Sequence, residues 1–418
     1  MFQVLSRSWA LLLGMMLLMV GNGLQGTLLG VRGGIEGFST FEMSIVMSAY
    51  FAGFLGGSKV APDLIRRVGH VRVFAALASG VSAILILYPL LAHPVAWTLG
   101  RVAIGFCFSG VYVTDESWLN NSADNANRGK ALSMYMIVQM VGIVGAQALL
   151  AFGDASGYIL FILASVLVSI SFAPILLSVS PTPAFETAKP MKLKTLIETS
   201  PLGCFGMFIL GGVFSAQFGM SAVYGTSVGL TITQISLFVS SIYVGAILMQ
   251  FPIGWFSDRV DRRIVILLVA ALGGIAALVA LLNDRYFIII LSSGFIMGGT
   301  SNPLYSLLIA YTNDYLEVDD MAAASGGLVF ISGIGAIAGP IVIGWVMEQF
   351  GGQAFFMVIA ILMLGLAIYA GFRMTQTSRE GIDDSAYTPV MPSSTLIAVE
   401  VASEFDIETA LVDETIDQ

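Results

Sequence analysis

Arg101 and Glu116 lie fifteen residues apart within a single apolar run near 95–119. An ionisable side chain in hydrocarbon costs at least a few kcal/mol and is a functional feature by default. Fifteen residues make about four helical turns, so the two share roughly one helix face. A carboxylate placed there can take up a proton from one side of a membrane and release it to the other, which makes Glu116 a candidate for proton coupling. The competing reading sets Glu116 at the interface, paired with Arg67 or Arg128 in a gating network. Asp115 is adjacent but points to another face. Arg101 can serve as a proton-transfer or anion partner, or as a packing arginine bonded to backbone carbonyls. Lys59, near the inner end of its run, can snorkel to the surface.

Neutral polar side chains also interrupt the apolar runs. Asn22 and Gln25 are i, i+3 neighbours, and Gln139, Gln217, Thr300, Asn302, Tyr305 and Ser306 lie near the middle of theirs. In hydrocarbon such groups must find partners, either across a cavity or on a neighbouring helix. Asn22, Gln25, Gln139, Gln217, Asn302 and Tyr305 are the candidate substrate-binding residues. Pro303 frees a backbone carbonyl in the same stretch. The methionines and phenylalanines are assigned to core and lipid contact, with no aromatic box among them.

The elements that position these residues follow from composition. The chain has 418 residues, 57% apolar and 11% charged. A soluble domain carries about 25% charged residues. That balance excludes a soluble enzyme, a disordered chain and a nucleic-acid binder, and it describes a polytopic membrane protein embedded in a lipid bilayer. Twelve runs are long enough to span, near 8–31, 42–66, 72–91, 95–119, 129–152, 157–178, 202–225, 231–256, 264–282, 286–311, 321–346 and 352–373. With the N-terminus inside, fourteen Lys and Arg fall in inner segments and only Arg32 and Arg285 outside. The positive-inside bias then places both termini in the cytoplasm. The net charge of −9 resides in residues 374–418, which carry ten acids and one arginine. This tail is expected to be solvated and disordered, with the apolar stretch Thr395–Val401 as a possible docking segment.

The body reads as two halves, 1–179 and 201–373, joined by a cytoplasmic linker at 180–200. The basic turn Arg67-Val-Gly69-His-Val-Arg72 recurs about 192 residues on, and Gly142 and Gly145 answer Gly335 and Gly339. Parallel six-span halves with a site at mid-membrane are a common plan of secondary transporters. The sharpest signal is Gly254-Trp-Phe-Ser-Asp258-Arg259-Val-Asp-Arg262-Arg263. It resembles motif A of the major facilitator superfamily, a cytoplasmic latch between helices, with Asp261 where glycine is usual. In the first half Arg67, Gly69 and Arg72 fit, but Arg66 replaces the key aspartate. Arg101-Val-Ala-Ile-Gly105 resembles motif B of that family. Arg128-Gly-Lys130-Ala resembles its loop after span four, and Gly335-x-x-x-Gly339-Pro340 its glycine-proline motif. Glu116-Ser-Trp-Leu-Asn120 is similar to a bacterial branch of unassigned substrate.

The resemblance implies an all-α fold of twelve helices in two pseudo-symmetric bundles, in the bacterial inner membrane. It implies a monomeric secondary transporter of a small organic solute, coupled to protons, with no cofactor and no metal. Two other readings compete. One is a sensor or scaffold, suggested by the tail. The other is an intramembrane prenyltransferase, because Asn313-Asp314-Tyr-Leu-Glu317-Val-Asp319-Asp320 resembles a Mg²⁺-diphosphate motif, though with no second acidic motif. No G-x-x-x-x-G-K-[ST] occurs, and Cys107 and Cys204 form no CxxC. His70 and His93 are placed in loops.

Overall fold

The computed structural model describes residues 2–122, 128–174, 191–376, 387–395 and 397–399. Among these the regular elements are helices throughout. We number them α1 (Phe2–Ile35), α2 (Thr40–Val68), α3 (His70–Leu90), α4 (Pro94–Ser122), α5 (Arg128–Phe152) and α6 (Ile159–Ser171). A short α7 (Leu193–Thr199) follows, then α8 (Pro201–Ser227), α9 (Ile232–Ser257), α10 (Arg262–Leu282), α11 (Phe287–Asn313), α12 (Val318–Phe350) and α13 (Ala354–Gln376). Ten of them are long and apolar enough to cross a membrane. The remaining two expected spans are α2, whose inner end carries Lys59, Asp63, Arg66 and Arg67, and α6, a shorter apolar helix. Expected edges hold to a few residues, except that α1 and α12 run on past both predicted ends and α6 ends at Ser171 where 178 is expected, residues 175–178 lying outside the described ones.

Helix starts show why these segments fold alike. Ser39 caps α2 by accepting from Glu42 N–H at 3.1 Å, while Glu42 accepts from Ser39 N–H at 2.8 Å. Thr231 and Gln234 build the same reciprocal box on α9, at 3.2 and 2.9 Å. Such a box satisfies two of the amide donors that a helix start leaves orphaned. Each box follows a glycine at positive φ, Gly37 at 78° and Gly229 at 75°.

Packing repeats with the same period. α2 lies against α4, α1 against α5 and α6, and α3 against α4 and α6. In the second half α9 lies against α11, α8 against α12 and α13, and α10 against α11 and α13. The α2–α4 crossing is closest at Gly53 and Gly105, where a Cβ would strike the carbonyl oxygens of Val102 and Tyr50. Gly245 and Gly298 meet Phe295 and Ile242 in the same way at the α9–α11 crossing. Without a hydrophobic drive between helices in lipid, such small-residue contacts are what allow tight association.

The halves meet along α2–α12, α5–α9 and α1–α8. One end of the bundle carries the tight α1–α2 and α8–α9 turns; we call it the turn face. The opposite, basic face carries Arg66–Arg72 and Asp258–Arg263. On the turn face Phe41 N–H donates to Glu348 at 3.1 Å, and Gly30 and Gly34 of α1 sit against Ala222 and Thr226 of α8. Arg32 pairs with Glu36 at 2.6 Å and donates to the carbonyls of Ala155 and Ser156.

The tail departs from expectation. Tyr387–Thr395 and Ile397–Val399 are not a solvated strand. They enter the bundle from the basic face, with Val390, Met391, Thr395, Ala398 and Val399 buried. The physical reason is local: Ser385–Val399 carries no charge, and the acids that make the tail polar lie on either side of it. The flanking parts, 377–386 and 400–418, and the linker residues 180–190 lie outside the described residues. His70 also corrects its assignment: it opens α3 and is buried, its ring 6.1 Å from that of Trp118.

Candidate functional site

Between the halves lies a cavity of about 740 Å³, counting its mouth. Most of that is open mouth: the room left inside for a bound molecule is only about 50 Å³. The first half contributes Asn22, Tyr50, Phe51, Phe54 and Tyr112, and the second Phe214, Phe218, Tyr243, Tyr305 and Ser332. Met391–Ser394 of the tail complete the lining. The walls are therefore an aromatic box, against the expectation of none. Tyr50 and Phe51 of α2 face Phe218 of α8 with ring centroids 5.5 and 6.0 Å apart. The legible signal was spacing: Tyr50 and Phe54, and Phe214 and Phe218, are i, i+4 pairs on two helices that meet.

Arg101 anchors a polar chain behind that wall. Its guanidinium is fully buried and donates to Gln25 Oε1 at 2.9 Å. Gln25 donates to Asn22 at 3.0 Å, and Asn22 donates to the Tyr112 hydroxyl at 3.2 Å. The guanidinium also lies 4.9 Å from the centre of the Tyr50 ring, a cation–π contact. No carboxylate pairs with it among the described residues, and its Nε has no partner there. The network thus joins Asn22, Gln25 and Arg101 to the cavity wall through Tyr50 and Tyr112.

Glu116 lies elsewhere on α4. Fifteen residues of helix place it about 22 Å along the axis from Arg101, too far for contact despite the shared face. Its carboxylate is buried and accepts from Thr395 N–H at 3.2 Å, from the Thr395 hydroxyl, and from Ala398 N–H at 3.3 Å. Asp115, beside it, is fully buried, and neither carboxylate oxygen has a partner among the described residues. Arg67 is exposed and makes no ion pair with Glu116; the Arg128 side chain lies outside the described residues.

The other polar candidates separate. Tyr305 lines the cavity. Gln217 sits in a π turn, Ala216–Met220, and accepts from the Ser301 hydroxyl at 2.9 Å, tying α8 to α11. Asn302 donates to Gly298 O of its own helix at 3.3 Å, and Gln139 is buried in α5 away from the lining.

On the basic face, Arg262 is fully buried and its Nη1 donates to both carboxylate oxygens of Asp314, at 2.5 and 2.7 Å, with Ser257 accepting from its Nε at 3.1 Å. Asp314 joins the start of α10 to the end of α11, so the acid of the prenyltransferase-like motif is engaged by an arginine. Arg263 pairs with Asp261 at 2.8 Å, and Arg259 lies over the Trp255 ring at 4.1 Å. Asp258 accepts from Tyr387 N–H at 3.2 Å. Partial burial holds its carboxyl above the usual aspartate range, against the pull of that N–H and of Arg262 and Arg259. Gly254 packs directly on the Tyr387 ring. In the first half Gly69 turns at φ 87°, and Arg67 and Arg72 are exposed.

This arrangement has counterparts among known proteins. The family model described as Major Facilitator Superfamily matches residues 203–393. The chain is 25% identical over 364 residues to the uncharacterized MFS-type transporter YcaD of Escherichia fergusonii, covering 84% of this chain and 91% of that one. YcaD proteins of Escherichia coli are 26% identical with the same coverage. The second half of the chain thus matches the major facilitator superfamily model, and relatives named as MFS-type transporters align over most of its length. The fold agrees at low identity. The nucleoside transporter NupG superposes with a TM-score of 0.71 at 15% identity, covering 89% of this chain and 100% of that one. A bacterial homolog of the human lysosomal transporter Spinster, in an inward-facing conformation, gives 0.67 at 14% identity, covering 96% and 98%. The matched proteins are named as transporters, and ten helices of this chain are long and apolar enough to cross a membrane.

Proposed function

We propose that the protein moves a small, uncharged, ring-bearing organic solute by alternating access, coupled to protons. The observation that carries the reading is the cavity itself: both halves supply its aromatic walls, and a buried carboxylate, Glu116, is bonded to the segment that lines its mouth. A site shared by two bodies is exposed to one side or the other as they rock. Asn22, Tyr305 and Ser332 offer hydrogen bonds to a hydroxylated ring, while Tyr50, Phe218 and Tyr243 offer faces to stack on. Gln25 and Arg101 hold Asn22 in place from behind. Among fold relatives, NupG is a nucleoside transporter and FucP of E. coli, with a TM-score of 0.55, a fucose:proton symporter. Both of those solutes are hydroxylated rings.

In this reading residues 1–179 and 201–373 are the rocking bodies and 180–200 the linker, within a monomer. The basic face is cytoplasmic, since fourteen of the eighteen Lys and Arg belong to that side and both termini with them. With the turn face closed by Phe41–Glu348 and by α1 against α8, the cavity opens inward. Glu116 and Asp115 are the proton-carrying pair, and the Asp258–Arg263 turn is the inner latch.

The test uses proteoliposomes with an imposed pH gradient. Glu116→Gln is expected to reduce proton-driven flux at least about tenfold while solute counterflow persists at or above the wild-type rate. Unchanged proton-driven flux in that variant refutes the coupling role.

A further inference from the structure

We infer that the cavity mouth is a binding site for an uncharged polypeptide segment, and that its resident ligand is this chain's own Tyr387–Thr395 together with Ile397–Val399. The inference rests on the transport reading above only for its consequence, not for the site.

The site is built along the whole strand. At its start Asp258 accepts from Tyr387 N–H at 3.2 Å, and Gln250 Nε2 donates to the Tyr387 hydroxyl at 2.7 Å. In the middle Ser306 bonds both backbone groups of one residue: Val390 N–H donates to its Oγ at 2.9 Å, and the hydroxyl faces Val390 O at 3.1 Å. At the far end Glu116 accepts two backbone N–H groups and a hydroxyl, from Thr395 and Ala398. Ile397 packs against the apolar cluster of Ala61, Ile65, Val73 and Val113. A carboxylate with 2% exposure that spends its lone pairs on backbone amides is a peptide clamp, because those donors recur on any strand laid across it.

The segment suits the site. It has no charge to desolvate, and Pro389 and Pro392 pre-set φ near the extended value, which lowers the entropy lost on docking. The acids on either side, Asp384 and Glu400, favour the basic face over deeper entry.

The consequence is inhibition in cis. Asp258, Gln250 and Ser306 belong to the second half and Glu116 to the first, so the docked strand bridges the two bodies that must move apart. It fills the mouth through Met391–Ser394, and it occupies the carboxylate that would exchange a proton. Transport then requires undocking.

Two binding readouts test the site without relying on transport. In a chain with Cys107→Ser and Cys204→Ser, the pair Ser306→Cys and Val390→Cys is expected to form a disulfide in native membranes under mild oxidation. A fluorescent peptide of the sequence 387–399 is expected to bind the chain ending at Gln376 and not the full chain. Absence of the disulfide, or equal peptide binding by both chains, overturns the inference. For the consequence, removal of the tail is expected to raise initial counterflow at least about threefold, and the free peptide to restore the slower rate. Thr395→Pro in the full chain, which deletes the N–H given to Glu116, is expected to match the shortened chain and guards against misfolding of the truncation. Rates unaffected by tail, peptide and proline overturn the inhibition. A chain that binds peptide but moves no solute counts against the transport reading and leaves the binding site standing.

Discussion

The two basic turns occupy equivalent places, 192 residues apart, and are held by different chemistry. In the second half Arg262 is buried and bonded twice to Asp314. In the first half the equivalent position is His70, also buried, set against Trp118 of α4. Both arrangements join the start of the third helix in a half to the end of the fourth. One does so with a directional ion pair and the other with stacked rings. A buried pair left half-made is costly, whereas two rings can slide. The second-half turn is therefore the fixed one, and the first-half turn, with Arg67 and Arg72 in solvent, the yielding one.

Substitutions can break that contrast. Arg262→Ala leaves the Asp314 carboxylate buried without its cation. It is expected to destabilise by about 3–5 kcal/mol, read as a loss of folded, detergent-soluble protein. If Arg262→Ala keeps the wild-type midpoint, the ion pair is not what fixes this turn. His70→Ala removes one ring from a contact and is expected to cost about 1–2 kcal/mol, between the ion pair and a surface change. A loss equal to that of Arg262→Ala would erase the difference between the halves. The capping boxes are a control, because they are alike. Ser39→Ala and Thr231→Ala are each expected to cost about 1 kcal/mol, with midpoints that agree. Smallest of all is Arg67→Gln, a change to an exposed side chain expected to stay within about 0.5 kcal/mol. It sharpens the comparison by showing that motif residues without partners contribute little.

Much of this architecture was readable from residue order. Span positions followed from apolar length, and the gathering of the basic turns at one end of the bundle from the distribution of Lys and Arg. Other features were legible and missed. The Gly37-x-Ser39-x-x-Glu42 and Gly229-x-Thr231-x-x-Gln234 pair is a stronger repeat than the basic turns that suggested it. What could not be read is contact between helices. Asp314 looked like part of an acidic cluster because nothing in order along the chain brings it to Arg262. Asn302 looked like a ligand group, but an amide in a helix can bond the carbonyl one turn back, as it does to Gly298. Gln139 shares the same ambiguity. The tail misled through averaging: ten acids over forty-five residues conceal an uncharged stretch long enough to enter the bundle.

A pocket that arrives already filled changes what a binding screen reports. Any compound tested on the intact chain competes with a tethered strand, so its apparent dissociation constant rises by the inverse of the unoccupied fraction. If the strand is docked ninety-nine parts in a hundred, the shift is about a hundredfold, enough to turn a micromolar substrate into an apparent non-binder. Substrate searches are therefore best run on protein ending near Gln376, with the whole chain kept as the comparison.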